Sequence, residues 1–293
     1  MAIALDTGYR DMRAEIQTEK DRRIREHRAK IEQRARMAVT LAAGVKPALN
    51  LLGQGDSWFD YPLPIPFPSD VLTHLKNLPS MSPEVLSLAH YGEAAEAMLG
   101  VRKLHEFIDQ LRHPANGNWD GILFSGGGND LAGDQFRLWL AEAESRGNNS
   151  ENGLNQDRVN SILGVVAAAY QDLFAARDSF DRSIPIFGHS YDFAIPSGIG
   201  VACAGPWLKP SLEDRGWTAP SAARAIVKNL LIQFDAMLQT FAGVPANNFI
   251  LVKTQGTLPD AEWANELHPN PDGFAAITVK FVEALRTRFP GRI

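Results

Sequence analysis

Five short apolar runs, at about 47–53, 84–88, 120–125, 184–188 and 248–253, are separated by stretches long enough to hold a helix. No other feature constrains the fold as much. Runs of this length bounded by glycine and polar residues read as buried strands, and helical patterning lies between them near 69–78, 93–112, 131–145, 155–180 and 220–242. A last helix is expected near 272–288. Strands and helices in regular alternation predict an α/β protein, a parallel sheet with helices on both faces. With 293 residues and 45% hydrophobic content, the chain can bury one large core. Ligands of open α/β sheets bind beyond the carboxyl ends of the strands, so the residues that follow the apolar runs are where chemistry is expected.

The first run leads into Gly55-Asp56-Ser57-Trp58-Phe59-Asp60, which puts a serine at the tip of a strand. Such a serine is usually a turn residue or a helix cap. Three further pieces follow in order: Gly92 in His90-Tyr91-Gly92-Glu93, the run Gly126-Gly127-Gly128-Asn129-Asp130 after the third strand, and Glu266-Leu267-His268-Pro269 near the C-terminus. The glycine run is not a phosphate loop, because no Lys and Ser/Thr pair follows it.

In these residues the chain resembles the SGNH (GDSL-type) hydrolases over roughly residues 46 to 289. The resemblance implies a three-layer α/β/α, flavodoxin-like sheet and a serine esterase or lipase-like activity. It also implies roles: Ser57 as nucleophile, His268 as general base, and an oxyanion hole from the backbone of Ser57 and Gly92 and the side chain of Asn129. The chemistry wants these residue types, because a serine hydroxyl needs an imidazole to take its proton and a developing oxyanion needs N–H donors aimed at it.

The chain departs from the family where an aspartate is usual, three residues before the histidine, and has Asn265 there. Asn265, the neighbouring Glu266 or a backbone carbonyl are all candidates to orient His268, and a Ser57-His268 dyad is the remaining option. His189 is the second candidate base, and Asp192 a second candidate to orient a histidine. Trp58, Phe59, Tyr61, Tyr191 and Asp192, with Trp207 and Trp217 of a long insertion at 189–219, are expected to form a lid or an apolar acyl or alcohol pocket. Within the ester-cleaving class, acyl transfer to an alcohol and carbohydrate O-deacetylation are alternatives on the same site; a catalytically weak binding module assembled through the N-terminal helix is another.

Residues 10–37 carry ten Lys/Arg and six Asp/Glu, a net of about +4, with Met12, Ile16, Ile24, Ile31 and Ala38 at near-helical spacing. Residues 1–44 are therefore read as a charged helical arm before an α/β domain at 45–293. The arm docks on its own domain, stays partly free in solution, or forms a short coiled-coil or dimer contact that makes a homo-oligomer. Its role is expected to lie away from the chemistry. The net charge of −5 argues against a nucleic-acid partner, and Cys203, the only cysteine, excludes a disulfide framework or a multi-cysteine metal site. The motifs call for no cofactor and no metal, and the expected partner is a small-molecule ester. No apolar stretch of membrane-spanning length and no secretory signal are read, and a cytoplasmic location is expected.

Overall fold

The computed structural model describes residues 2–38, 47–62, 69–133, 135–201 and 204–293, and side chains within the first helix from residue 14 to 37. The elements are, in order, α1 (Ala2–Ala38), β1 (Asn50–Gly55), α2 (Val71–Lys76), β2 (Glu84–Ser87), α3 (Ala95–Met98), α4 (Val101–Arg112), β3 (Gly121–Ser125), α5 (Gly128–Leu131) and α6 (Phe136–Trp139). They continue with α7 (Gln156–Asp178), β4 (Ile186–His189), α8 (Lys209–Asp214), α9 (Pro220–Ala242), β5 (Phe249–Val252) and α10 (Pro271–Arg288).

All strand pairs are parallel, in the order β2-β1-β3-β4-β5. The chain first steps from β1 to β2 through α2, then reverses across β1 to β3 and onward to β5. Right-handed crossovers put helices made while moving in opposite directions on opposite faces. Thus α2, joined by α10, covers one face, while α3, α4, α7 and α9 pack together on the other. This is the three-layer α/β/α, flavodoxin-like arrangement. The reversal opens a crevice between the carboxyl ends of β1 and β3, and Ser57 and Asn129 follow those two strands. Every residue of β1 and β3 is buried, as a sheet covered on both faces requires.

Local chemistry fixes the helix starts. Asp70, Asn155 and Asn270 accept from the first-turn N–H groups of α2, α7 and α10, and Pro220 and Pro271 open α9 and α10. Strand β1 runs two residues beyond its expected end, through Gly53-Gln54-Gly55. Its glycines are needed for space: a Cβ on Gly53 would stand 2.9 Å from Leu72, and one on Gly55 2.9 Å from Phe59 and Ser125.

Three expectations are corrected. The helix at 93–112 is broken at Gly100 into α3 and α4. The helix at 131–145 is reduced to α6, because Ala141 and Ala143 donate instead to the carbonyls of Gly153 and Arg215. Helix α7 is, contrary to the sequence reading, long and apolar enough to cross a membrane, though Tyr170, Leu173, Phe174 and Arg177 on it are buried in the protein.

Helix α1 lies against its own domain, covering edge strand β2. Ile24 and His27 are buried there, His27 stacked 5.3 Å from the Trp119 ring. Lys20 pairs with Glu106 at 3.2 Å, and Arg28 donates to Asn116 and Gln110. The central part of the apolar stripe thus faces the chain's own body. The side chains of Met12 and Ala38, the expected boundary at 44/45 and Cys203 lie outside what the structure describes.

Candidate active site

Ser57 sits in the tight turn that leaves β1, where Phe59 N and Asp60 N both donate to Asp56 O at 3.0 Å. His268 is brought to it from the segment before α10. The two side chains meet with Ser57 Oγ 2.7 Å from His268 Nε2, and both are buried. On the other side of the ring, His268 Nδ1 is 2.9 Å from Asn265 Oδ1. That atom also accepts from Leu267 N and His268 N at 3.0 Å, so the group facing the ring must be the oxygen of the amide. Nδ1 therefore carries a proton, and in the neutral ring Nε2 is left to accept from Ser57 Oγ. Asn265 Nδ2 donates in turn to Tyr61 Oη at 3.2 Å.

Glu266 points elsewhere. Fully buried, its carboxylate accepts from Gly198 N (2.9 Å), Leu208 N (2.6 Å), Lys209 N (3.0 Å) and Trp207 N. It caps α8 and holds the 189–219 insertion, whereas Asn265 is the residue at the imidazole.

Burial holds His268 well below the ordinary histidine range, at about 3. An amide partner supplies no charge to offset desolvation of the imidazolium, so the neutral ring is strongly favoured. His189, also pushed down to about 3 by burial, makes no hydrogen bond to Ser57: its Nε2 lies 2.9 Å from Ser125 Oγ, and its Nδ1 accepts from Tyr191 N. Its reading as an alternative base is corrected on that geometry. Ser125 Oγ donates at 2.7 Å to Asp56, which also accepts from Trp58 N (3.0 Å) and Tyr191 Oη (2.6 Å). Burial raises the Asp56 carboxyl to about 6 despite these bonds. This His189–Ser125–Asp56–Tyr191 network braces the Ser57 turn from beneath.

Asn129 stands on the first turn of α5, after β3. Its Nδ2 donates to Glu93 O at 2.9 Å, which leaves the second amide hydrogen for another acceptor. Of the three preceding glycines only Gly127 requires a positive φ (+110°); Gly126 and Gly128 instead make room for the rings of Phe124 and Tyr191. Gly92 has φ +73° and is exposed. The backbone N–H groups of Ser57 and Gly92 make no hydrogen bond among the described residues.

Beside Ser57 and His268 lies a cavity of about 60 Å³, lined by Asn129, Trp58, Tyr191 and an apolar wall that includes Leu131, Phe136, Leu208, Leu230 and Leu231. The substrate-facing expectation divides on this geometry. Trp58 and Tyr191 line the cavity; Phe59 instead packs into the core against His189 and Phe281. Asp192 lies at the cavity, but its carboxylate accepts from Phe193, Gly256 and Leu258 N–H groups and faces no histidine nitrogen. Tyr61 and Trp207 pack their rings 4.8 and 5.6 Å from that of His268, while Trp217 turns away to donate to Ala141 O. Sequence reasoning missed the α9 wall, whose signal was the apolar spacing of Val227, Leu230 and Leu231. It also missed Ser125 and Asp130, the latter accepting from Ala95 N at 2.7 Å. Among the described residues no cluster of three or more His, Cys, Asp or Glu side chains is placed to hold a metal ion.

No family model and no curated protein match the chain. Solved structures do. They include lipases and esterases. A lipase from a goat rumen metagenome is similar at 16% identity and a TM-score of 0.48, over 80% of this chain and 97% of that one. A carbohydrate esterase family 3 protein from Talaromyces cellulolyticus is similar at 12% identity and a TM-score of 0.45, over 82% and 97%. An extracellular lipase from Streptomyces rimosus is similar at 15% identity and a TM-score of 0.46, over 82% and 100%.

Proposed function

We propose that the protein is a serine hydrolase of carboxylic esters that works through an acyl-enzyme on Ser57. The observation that carries the reading is the continuous line Ser57 Oγ, His268 Nε2, His268 Nδ1, Asn265 Oδ1, with contacts of 2.7 and 2.9 Å, at the edge of an apolar cavity. Ser57 Oγ attacks the ester carbonyl as His268 Nε2 takes its proton. The imidazolium keeps its orientation through the Nδ1–H bond to Asn265. The carbonyl oxygen, now negative, is met by the N–H groups of Ser57 and Gly92 and the free amide hydrogen of Asn129. His268 passes its proton to the departing alcohol, and water then repeats the cycle in reverse to release the acid.

The acyl group occupies the apolar cavity. A single water needs about 10–15 Å³ of such volume, and the cavity provides about 60 Å³, which suits a short acyl chain. The test is a series of p-nitrophenyl esters of increasing acyl length, with acetylated sugars alongside. Acetyl to butyryl esters should give the highest kcat/KM, and Ser57→Ala should abolish turnover. Absence of hydrolysis across the whole series would count against the reading.

A further inference from the structure

The N-terminal helix reaches the catalytic turns. Arg23, on α1, spreads its guanidinium over two separate loops: Nη2 donates to Asp60 Oδ1 at 2.7 Å, and Nη1 donates to the carbonyl oxygen of Ala89 at 3.1 Å. Asp60 closes the turn that holds Ser57, and Ala89 stands three residues before Gly92. A third bond, Nε to Glu19 Oε1 at 2.9 Å, fixes the side chain on its own helix. The planar fork of an arginine suits this task, because its donors diverge in a fixed geometry that lysine cannot copy.

We propose that Arg23 is a positioning residue for the ester hydrolase argued above, clamping the turn that carries Ser57 to the turn that carries Gly92. The clamp rests on that functional reading for its catalytic meaning. The two turns also meet directly, through His90 N donating to Gly55 O at 2.9 Å and through His90 Nδ1 lying 3.7 Å from Asp60 Oδ2. Among the described residues, Arg23 adds the one cation that bonds to both turns at once, through Asp60 Oδ1 and the Ala89 carbonyl. From the other flank Asn129 and Asp130 hold the Gly92 turn through Glu93 O and Ala95 N. The arginine is delivered already in place, because Ile24 is buried beside it and Lys20 and Arg28 anchor the same helix to Glu106, Asn116 and Gln110. The arm expected to work away from the chemistry thus takes part in it. Two N–H donors on different loops stabilise one oxyanion only if the loops are held in register, and small misplacements of reacting groups are costly.

The test uses the full chain with Arg23→Ala, Arg23→Lys, Asp60→Asn and, as control, Arg22→Ala, since Arg22 pairs with Glu19 and Glu26 on its own helix. Arg23→Ala should lower kcat by on the order of 10- to 100-fold with KM changed by no more than about threefold. Added guanidinium ion should recover part of the rate, Arg23→Lys should fall between, and Asp60→Asn in the Arg23→Ala background should cost little further, since Asp60 then keeps only its 3.7 Å contact with His90 Nδ1. Arg22→Ala should match wild type. Amide hydrogen exchange gives a readout independent of turnover: in Arg23→Ala, protection at 56–60 and at 89–93 should fall together. Unchanged exchange at those turns, or unchanged kcat in a wild type that hydrolyses esters, overturns the clamp. Should wild type hydrolyse no ester, the functional reading falls by itself and the exchange result decides whether the clamp exists. Should Arg23→Ala fail to fold, Arg23→Lys carries both measurements.

Discussion

Asn265 presents its side-chain oxygen to His268 Nδ1 at 2.9 Å, and two backbone N–H groups at the same oxygen prevent the amide from turning over. A neutral group therefore fixes the tautomer that a base needs, without charge to stabilise the imidazolium. In this setting His268 is held at about 3 by burial, so it remains an unprotonated base well into acid. Asn265→Asp puts a negative charge beside the ring and raises its pKa. The acid limb of the kcat/KM profile should then move to higher pH in Asn265→Asp, while Asn265→Ala lowers kcat. An Asn265→Ala enzyme with full activity and an unmoved profile would remove Asn265 from the mechanism.

Glu266 should behave differently. Its four N–H partners all belong to the insertion, so Glu266→Gln leaves the acid limb in place while loosening the wall that Leu208 gives to the cavity. Loss of charge-assisted bonds of this kind costs about 1–3 kcal/mol. Thermal unfolding should show the destabilisation, and steady-state kinetics should show a raised KM with kcat within a few fold. A shifted acid limb would instead mean that Glu266 acts on His268.

For Asn129, the amide hydrogen left over from Glu93 is assigned to the oxyanion. Asn129→Ala should lower kcat by on the order of 10²–10³ with a much smaller change in KM, because the bond strengthens as charge develops. A pure KM effect would make Asn129 a substrate-binding residue.

Stability should decline in mild acid through the buried histidines. His27 is held at about 4, and His189 and His268 at about 3, all by burial. The unfolded chain takes up these protons near 6.5 and the folded chain only at about 3–4, so stability is lost as pH falls from about 6.5 and the loss stops growing below the folded values. Asp56 and Asp70, both raised to about 6 by burial, act in the opposite sense: the folded state binds their protons first, which favours it between about 6 and 3.8. The histidine windows are wider and more numerous. Neither ring nitrogen of His27 makes a hydrogen bond of normal geometry, and its ring stacks on Trp119. His27→Phe should therefore resist denaturant better than wild type at pH 5, with the advantage shrinking at pH 7. An equal advantage at both pH values would show that His27 titration contributes nothing.

The sheet was legible because its signal is local: short apolar runs, caps such as Asn155 and Asn270, and Pro220 at the start of α9, whose expected and observed bounds coincide at 220–242. Residues 131–145 were misread because their helix-favouring Leu, Ala and Glu are overruled by distant partners, Gly153 and Arg215 for the backbone and Trp217 for Ala141 O. Ser57, Asn129 and His268 could be picked out as candidates because each follows a strand in a recognisable run, and the structure places all three at one cavity. Sequence could not separate Asn265 from Glu266, since neighbours in a loop point in directions that only the fold sets. Arg23 carried no signal at all. Its partners are 37 and 66 residues away, and one of them is a backbone carbonyl that any residue supplies.

Covalent labelling reads an activated serine at position 57 without knowledge of the natural ester. Wild-type protein is treated with a fluorophosphonate and the modified peptide is located by mass spectrometry. One adduct is expected, on Ser57, lost in Ser57→Ala and strongly slowed in His268→Ala although both variants remain folded. An adduct on another residue, labelling that survives Ser57→Ala, or no labelling of folded wild-type protein would contradict it.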